Sequence, residues 1–232
     1  MLLQKDIEDI AHAMPLLWDP LSDEQRELFV NNVVIKKAER DEELFLEGSF
    51  PHHLYYLLRG KVTMYRTGLA GQRQIVRMVE PGAPFGFMDA CEGMTHSSNA
   101  VAGADTVVAI MPMNLIFHLI CENGSFAMFF IKELASLLNI SMQRTMNLTQ
   151  KHIRGRLADT LIRMKEKYGL EEDGQTLTIY LSREDLGQMS NMTTSNAIRT
   201  LSAFAADGII ATVGKKIMIL KEQELRRVAQ MG

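Results

Sequence analysis

The segment from Ser182 to Leu201 concentrates residues whose types and spacing suit specific hydrogen bonding. Ser182 can cap a helix, with Asp185 three residues on, close to a capping box. Leu186 is core-facing, and Gly187 beside it is small enough for a second helix to cross closely. Asn191 stands where a turn needs left-handed backbone, which asparagine tolerates better than other non-glycine residues. Met192 can plug that turn, and Thr193 can cap the second helix. Ala197, Leu201 and Phe204 fall at i, i+4 and i+7 and give that helix one core face. Its other face offers Thr194, Ser195, Asn196 and Arg199. Two hydroxyls, an amide and a guanidinium on one short surface suit the donor and acceptor edges of a DNA major groove. Ser182 and Arg183 at the start of the first helix join that set, as do Lys215 and Lys216, which can reach phosphates. Phosphate contacts position a protein without specifying sequence.

Other reactive residues point to less. Ser/His/Asp order, a Walker loop and GxGxxG are all missing from the sequence, and Glu171-Glu-Asp173 reads as an acidic loop, so an enzyme is not expected. His52 and His53 beside Pro51 read as a solvated pair in a turn. His96, with Met88 and Met94 nearby, reads as a polar pocket lining, with haem binding as the alternative. The 16 methionines read as core filler. Cys91 and Cys121 are far apart and outside any CxxC spacing, which predicts two small buried thiols and no metal site.

These residues need elements to hold them. Up to about Pro112, short runs are punctuated by glycine: Leu54–Leu58 before Gly60, Lys61–Arg66 before Gly68, and Gln74–Val79 before Pro81-Gly82, then Ala100–Ala102 and Thr106–Met111. Such spacing predicts an antiparallel barrel or sandwich, with Gly48, Gly60, Gly71, Gly82 and Gly86 at turns. A helix over Leu21–Asn31, opened by Ser22 and Asp23, precedes it. From Ser125 to Gln150 the chain reads as one long helix. Ile131, Leu134, Leu138, Ser141, Thr145 and Leu148 alternate spacings of three and four, which reads as the seam of a two-fold dimer contact, with an amphipathic face packed on its own domain as the alternative. Beyond Lys151 the predicted order is a helix over Ile153–Tyr168, a strand over Thr176–Leu181, two helices, and a hairpin turning at Gly214-Lys215. That order is a winged helix-turn-helix.

The formal net charge is −3, yet from Lys151 onward 13 Lys/Arg meet 10 Asp/Glu, so a tail of +3 sits on a body of −6. This fits a chain that meets nucleic acid through its C-terminal part. Met1–Asp6 lacks the pattern of a signal peptide, and uncharged runs are short of a membrane span, so a cytoplasmic protein without membrane contact is expected.

The chain resembles the Crp/Fnr family of bacterial transcription regulators, from about Leu21 to Leu220. Leu44-Phe-Leu-Glu-Gly48, Leu54-Tyr-Tyr-Leu-Leu-Arg-Gly-Lys-Val62 and Pro81-Gly-Ala-Pro-Phe-Gly86 resemble its cyclic-nucleotide-binding β-roll. Lys151–Leu161 resembles its hinge and first DNA-domain helix, and Leu181–Leu201 its helix-turn-helix. The resemblance implies an α+β fold: an N-terminal double-stranded β-helix, a long dimerisation helix and a C-terminal winged helix-turn-helix. The corresponding boundaries are a β-roll sensor with its N-terminal helix over 1–122, the dimerisation helix over 123–150 and the DNA-binding domain over 151–232. It implies a homodimer that binds a pseudo-palindromic duplex and works through RNA polymerase. The effector pocket would be lined by Phe85, Gly86, Phe87, Met88, His96, Ser97, Ser98, Ser141 and Met142. The family's nucleotide binders carry a Glu after Phe-Gly and an Arg-Ser pair. Here Phe87 and Met88 follow Gly86, and about His96 stands where the arginine would. Burying a cyclic phosphate without a guanidinium is costly, so cyclic AMP in the usual mode is not expected. In the recognition helix Thr194 and Ser195 replace the usual Arg and Glu, and only Arg199 matches, which predicts a different half-site. Two other readings stay open: a haem-dependent redox or nitric-oxide sensor, and a ligand-binding module whose winged domain makes protein contacts only.

Overall fold

The computed structural model describes residues 12–68, 71 and 73–231. The sequence reading of Met1–Asp6 and the side chain of Leu148 lie outside what is described. The chain divides into two compact units, Met1–Leu138 and Asn139–Gly232, so the division falls inside the long helix.

In the first unit, two four-stranded antiparallel sheets face each other. Their strands are β1 (Val34–Ala38), β2 (Glu43–Phe45), β3 (His53–Arg59), β4 (Val62–Thr67), β5 (Arg73–Val79), β6 (Pro84–Phe85), β7 (Asn99–Ala102) and β8 (Thr106–Pro112). One sheet runs β1-β8-β3-β6 and the other β2-β7-β4-β5. Phe45, Tyr55, Leu57, Val62, Val79, Phe85, Ala100 and Val108 fill the space between them. Leu54 and Tyr56 point the other way, into a second core with Phe29, Met111, Ile116, Leu119, Phe126 and Phe130. Successive strand residues face opposite sides. The run Leu54–Leu57 is therefore apolar on both faces, because β3 is covered by the opposite sheet and by helices. The predicted glycines all take positive φ; at Gly60 (φ 87°) a Cβ would stand 2.7 Å from Asp105 O and Thr106 Cα.

The helix predicted at Leu21–Asn31 spans Asp23–Asn32, with Ser22 and Gln25 closing a capping box. Short helices at Pro15–Trp18 and Met88–Glu92 were not anticipated, and neither was β1. A helix over Met113–Glu122 precedes the long helix Gly124–Gln150. Both cysteines are exposed, contrary to expectation. Met113–Glu122 buries Met113, Leu115, Ile116 and Leu119, and Cys121 lies off that face; Met88–Glu92, which holds Cys91, buries no residue. The seam reading also changes: Leu134 packs against the core of its own unit, while Met128, Ile131, Leu138 and Met142 are exposed. By length and mean hydropathy (1.3), Gly124–Gln143 is apolar enough to cross a membrane, which counting uncharged runs did not anticipate; Lys132 and Glu133 interrupt it.

In the second unit, helix Ile153–Tyr168 ends at Gly169 as expected. Helices Arg183–Met189 and Thr194–Ala206 follow, then strands β9 (Ile210–Val213) and β10 (Lys216–Ile219). The strand predicted over Thr176–Leu181 is reduced to isolated bridges, Leu170 to Leu177 and Thr176 to Met218. Asp173 accepts from the backbone of Gln175 and Thr176 and holds that segment as a turn. A last helix, Glu222–Met231, not anticipated, packs on Ile153–Tyr168. It is tied there by Lys165–Glu222 and by Arg226 to Glu166 at 2.8 Å.

Candidate nucleic-acid interface and effector pocket

Short-range chemistry sets the two helices. Ser182 Oγ accepts from Asp185 N at 3.0 Å while Asp185 Oδ2 accepts from Ser182 N at 3.2 Å. Asn191 has φ 50°, the left-handed turn expected of it. Thr193 Oγ1 accepts from Asn196 N at 3.2 Å and starts the second helix. Gly187 lies at the crossing: a Cβ there would stand 3.0 Å from Met192 O and 3.3 Å from Thr194 N. A buried bond from Ser190 Oγ to Thr160 Oγ1, 3.0 Å, ties the turn to helix Ile153–Tyr168.

Ala197, Leu201 and Phe204 bury the inner face of helix Thr194–Ala206, as the spacing predicts. Thr194, Ser195 and Arg199 are exposed, and Asn196 is half-buried. Among the described residues Arg199 has no acidic partner, so its guanidinium is available to a ligand. Ile198, exposed between them, was not singled out from sequence. Its signal was spacing: it lies four residues from Thr194 and three from Ser195, on one surface.

The hairpin is held beside this surface. Arg183 Nη2 donates to Gly214 O at 2.9 Å, so Arg183 braces the turn. Lys216 Nζ lies 3.3 Å from Glu171 Oε2 and over the Tyr180 ring at 5.2 Å. Lys215 is exposed at the tip. Both lysines are exposed, and Lys216 is in addition partly neutralised by Glu171.

The predicted effector residues do not all come together. Phe85, Gly86 and His96 share one aromatic cluster with Phe45 and Tyr55, inside the roll. His96 is 3% exposed, and its ring stacks on Phe45, centroids 3.8 Å apart and planes 10° apart. Tyr55 stacks on Phe85 at 5.3 Å. Gly86 (φ 79°) lies under them, where a Cβ would meet Tyr55 Cδ2 at 2.9 Å. His96 is anchored through its backbone, donating to Ser49 O at 2.8 Å and accepting from Gly48 N at 2.7 Å. Its Nδ1 is 3.5 Å from Asp89 Oδ2 and has no hydrogen-bond partner of good geometry among the described residues. Burial pushes the imidazole below its ordinary pKa, and Asp89 opposes that shift. Phe87 turns away into the helix-side core, edge-on to Phe130 at 5.3 Å. Ser98 is buried, while Met88 and Ser97 are exposed. Ser141 and Met142 are exposed and belong to the second unit.

A β-roll followed by a capped helix-turn-helix with its wing defines a DNA-binding regulator with a separate sensor domain. Residues 35–123 match the cyclic nucleotide-binding domain and residues 155–228 the Crp-like helix-turn-helix domain. The chain belongs to the Crp/Fnr family of transcription regulators. It is 23% identical to the CRP-like cAMP-activated global transcriptional regulator of Mycobacterium tuberculosis, over 82% of this chain and 86% of that one. It is 24% identical to the global nitrogen regulator of Nostoc sp., over 84% and 88%. In fold it is similar to FixK2 of Bradyrhizobium japonicum, with TM-score 0.75 and 23% identity over 84% of this chain and 96% of that one. The c-di-GMP responsive regulator CLP of Xanthomonas campestris gives 0.75 at 17% identity, over 85% and 99%. The relatives it matches are transcription regulators rather than enzymes.

Proposed function

We propose that the chain acts as a homodimeric, sequence-specific regulator of transcription in the cytoplasm, reading DNA with helix Thr194–Ala206. The observation that carries this reading is the exposed set Thr194, Ser195 and Arg199 on a helix fixed by two caps and a left-handed turn. Asn196 and Thr193 line the start of that surface, Ser182 and Arg183 hold its partner helix and wing, and Lys215 and Lys216 reach the backbone. Arg199 can contact guanine bidentately, worth about 1–3 kcal/mol of discrimination. With Thr194 and Ser195 beside it, the half-site differs from the family's usual one. Two such helices, related by a two-fold axis, would read a pseudo-palindrome with half-sites about one helical turn apart. The exposed apolar line Met128, Ile131, Leu138, Met142 and then Thr145 supplies the dimer face. It also accounts for the apolar character of Gly124–Gln143 without a membrane. RNA polymerase is the partner through which the bound dimer acts.

The sensor takes an effector other than cyclic AMP in the usual pose. His96 and Phe45 stacked inside the roll occupy interior space, and the buried imidazole is held towards its neutral form, which offers no charge to a phosphate. Related regulators are described as cAMP-activated and as c-di-GMP responsive, so the fold admits different signals. Selection of duplexes from a random pool tests the DNA reading. A defined palindrome other than the family's usual one is expected, with binding lost on Arg199→Ala while the dimer persists. Recovery of the usual family palindrome would remove the half-site proposal. Calorimetry with cyclic AMP is expected to show no tight binding; micromolar affinity would overturn the pocket reading.

A further inference from the structure

We propose that Ile198 contributes to specificity by packing on the 5-methyl group of a thymine, so that each half-site prefers a T·A pair at one fixed position. The inference rests on the reading of Thr194–Ala206 as the helix that enters the groove.

Ile198 is 48% exposed, whereas Ala197, Leu201 and Phe204 on the same helix are almost wholly buried. The helix has its core face without Ile198. Single exposed apolar residues are ordinary on protein surfaces; what sets this one apart is its neighbourhood. Residues three and four apart adjoin on a helix surface. Ile198 therefore adjoins Ser195 and Thr194 on the preceding turn and Ser202 on the next, with Arg199 beside it, and all four of these are exposed. An aliphatic side chain thus stands among the groups proposed to meet base edges.

The major groove presents donors and acceptors on every base pair and one apolar group, the thymine methyl. An isoleucine pressed on a donor or acceptor strips its water and offers nothing in return. Pressed on the methyl, both partners lose apolar surface to each other. Thr194 and Ser195 are short, so they do not hold the helix away from the bases, and the longer Ile198 side chain can reach. The serine and threonine hydroxyls hydrogen-bond to many base edges, so the apolar contact adds discrimination that they do not supply.

The test uses the full chain and a duplex selected from a random pool. Each thymine in turn is replaced by uracil, which removes the methyl and keeps the hydrogen-bonding edge. At one position per half-site, uracil is expected to weaken binding about fourfold, the value of one methyl removed from water. The same replacement is expected to have no effect on Ile198→Ala, a reduced effect on Ile198→Val, and an undiminished effect on Ser202→Ala. Repeating the selection with Ile198→Ala is expected to lose the thymine preference at that position only. The proposal is overturned if uracil is tolerated at every thymine by the unaltered protein, or if the penalty is undiminished in both Ile198 variants. If no duplex is selected at all, the DNA reading itself fails, and this inference with it.

Discussion

Gly187→Ala measures how tightly the two helices of the motif are set. An added Cβ would lie 3.0 Å from Met192 O, 3.3 Å from Thr194 N and 3.4 Å from Thr193 C. All three are backbone atoms, so no side chain can swing aside. The turn is further fixed by Met192 N donating to Gly187 O at 2.8 Å and by the Thr193 cap. Helix Thr194–Ala206 must then shift by a few tenths of an ångström. Two effects compete. Alanine is favoured over glycine in a helix by about 1 kcal/mol. Overpacking a tight site costs about 1–3 kcal/mol. The net expectation is a loss of up to about 2 kcal/mol for alanine and more for valine, whose two extra methyls meet the same backbone. For a unit of this size each 1 kcal/mol lowers the midpoint by roughly 4–8 °C. Thermal unfolding followed by circular dichroism, with DNA affinity measured alongside, should rank glycine above alanine above valine in both. An alanine variant more stable than the original would show that propensity wins and that the crossing is not tight, refuting the argument.

Three further predictions follow from the geometry. Ser182→Ala removes the bond that Ser182 Oγ accepts from Asp185 N, while the backbone N–H of residue 182 can still donate to Asp185, and should cost about 1 kcal/mol; an unchanged denaturation midpoint would deny the cap any role. Gly60→Ala places a Cβ 2.7 Å from backbone at φ 87°, so the variant should be recovered misfolded or protease-sensitive, and native-like yield and resistance would contradict it. His96 is held below its ordinary pKa of 6.5, mainly by burial, so the unfolded chain takes up the proton more readily. Its contribution is therefore intact above about pH 6.5 and is lost as pH falls below it; midpoints measured from pH 8 to pH 5 should drop more steeply than in His96→Gln, and parallel slopes would dismiss the effect.

The helix-turn-helix was legible in the sequence because its signals act over three or four residues. Ser182, Asn191 and Thr193 each satisfy nearby backbone groups or adopt a local conformation, and spacing alone assigned Ala197, Leu201 and Phe204 to the core. The glycine turns of the roll were legible for the same reason. Several features that depend on a distant partner were not, although the main strands of the roll were. A strand exists only where another supplies its bonds, and Thr176–Leu181 meets the hairpin at one bridge, so the expected strand dissolves. Leu134 fits a dimer seam by spacing, yet its own unit's core claims it, because burial is decided by what lies opposite. Cys91 and Cys121 have a buried residue's chemistry and exposed positions. The sequence also marked His96 as a pocket residue. Only the tertiary structure could stack it on Phe45, 51 positions away in the chain. Local bonding is written in neighbouring residues, whereas packing depends on surfaces that only the folded chain brings together.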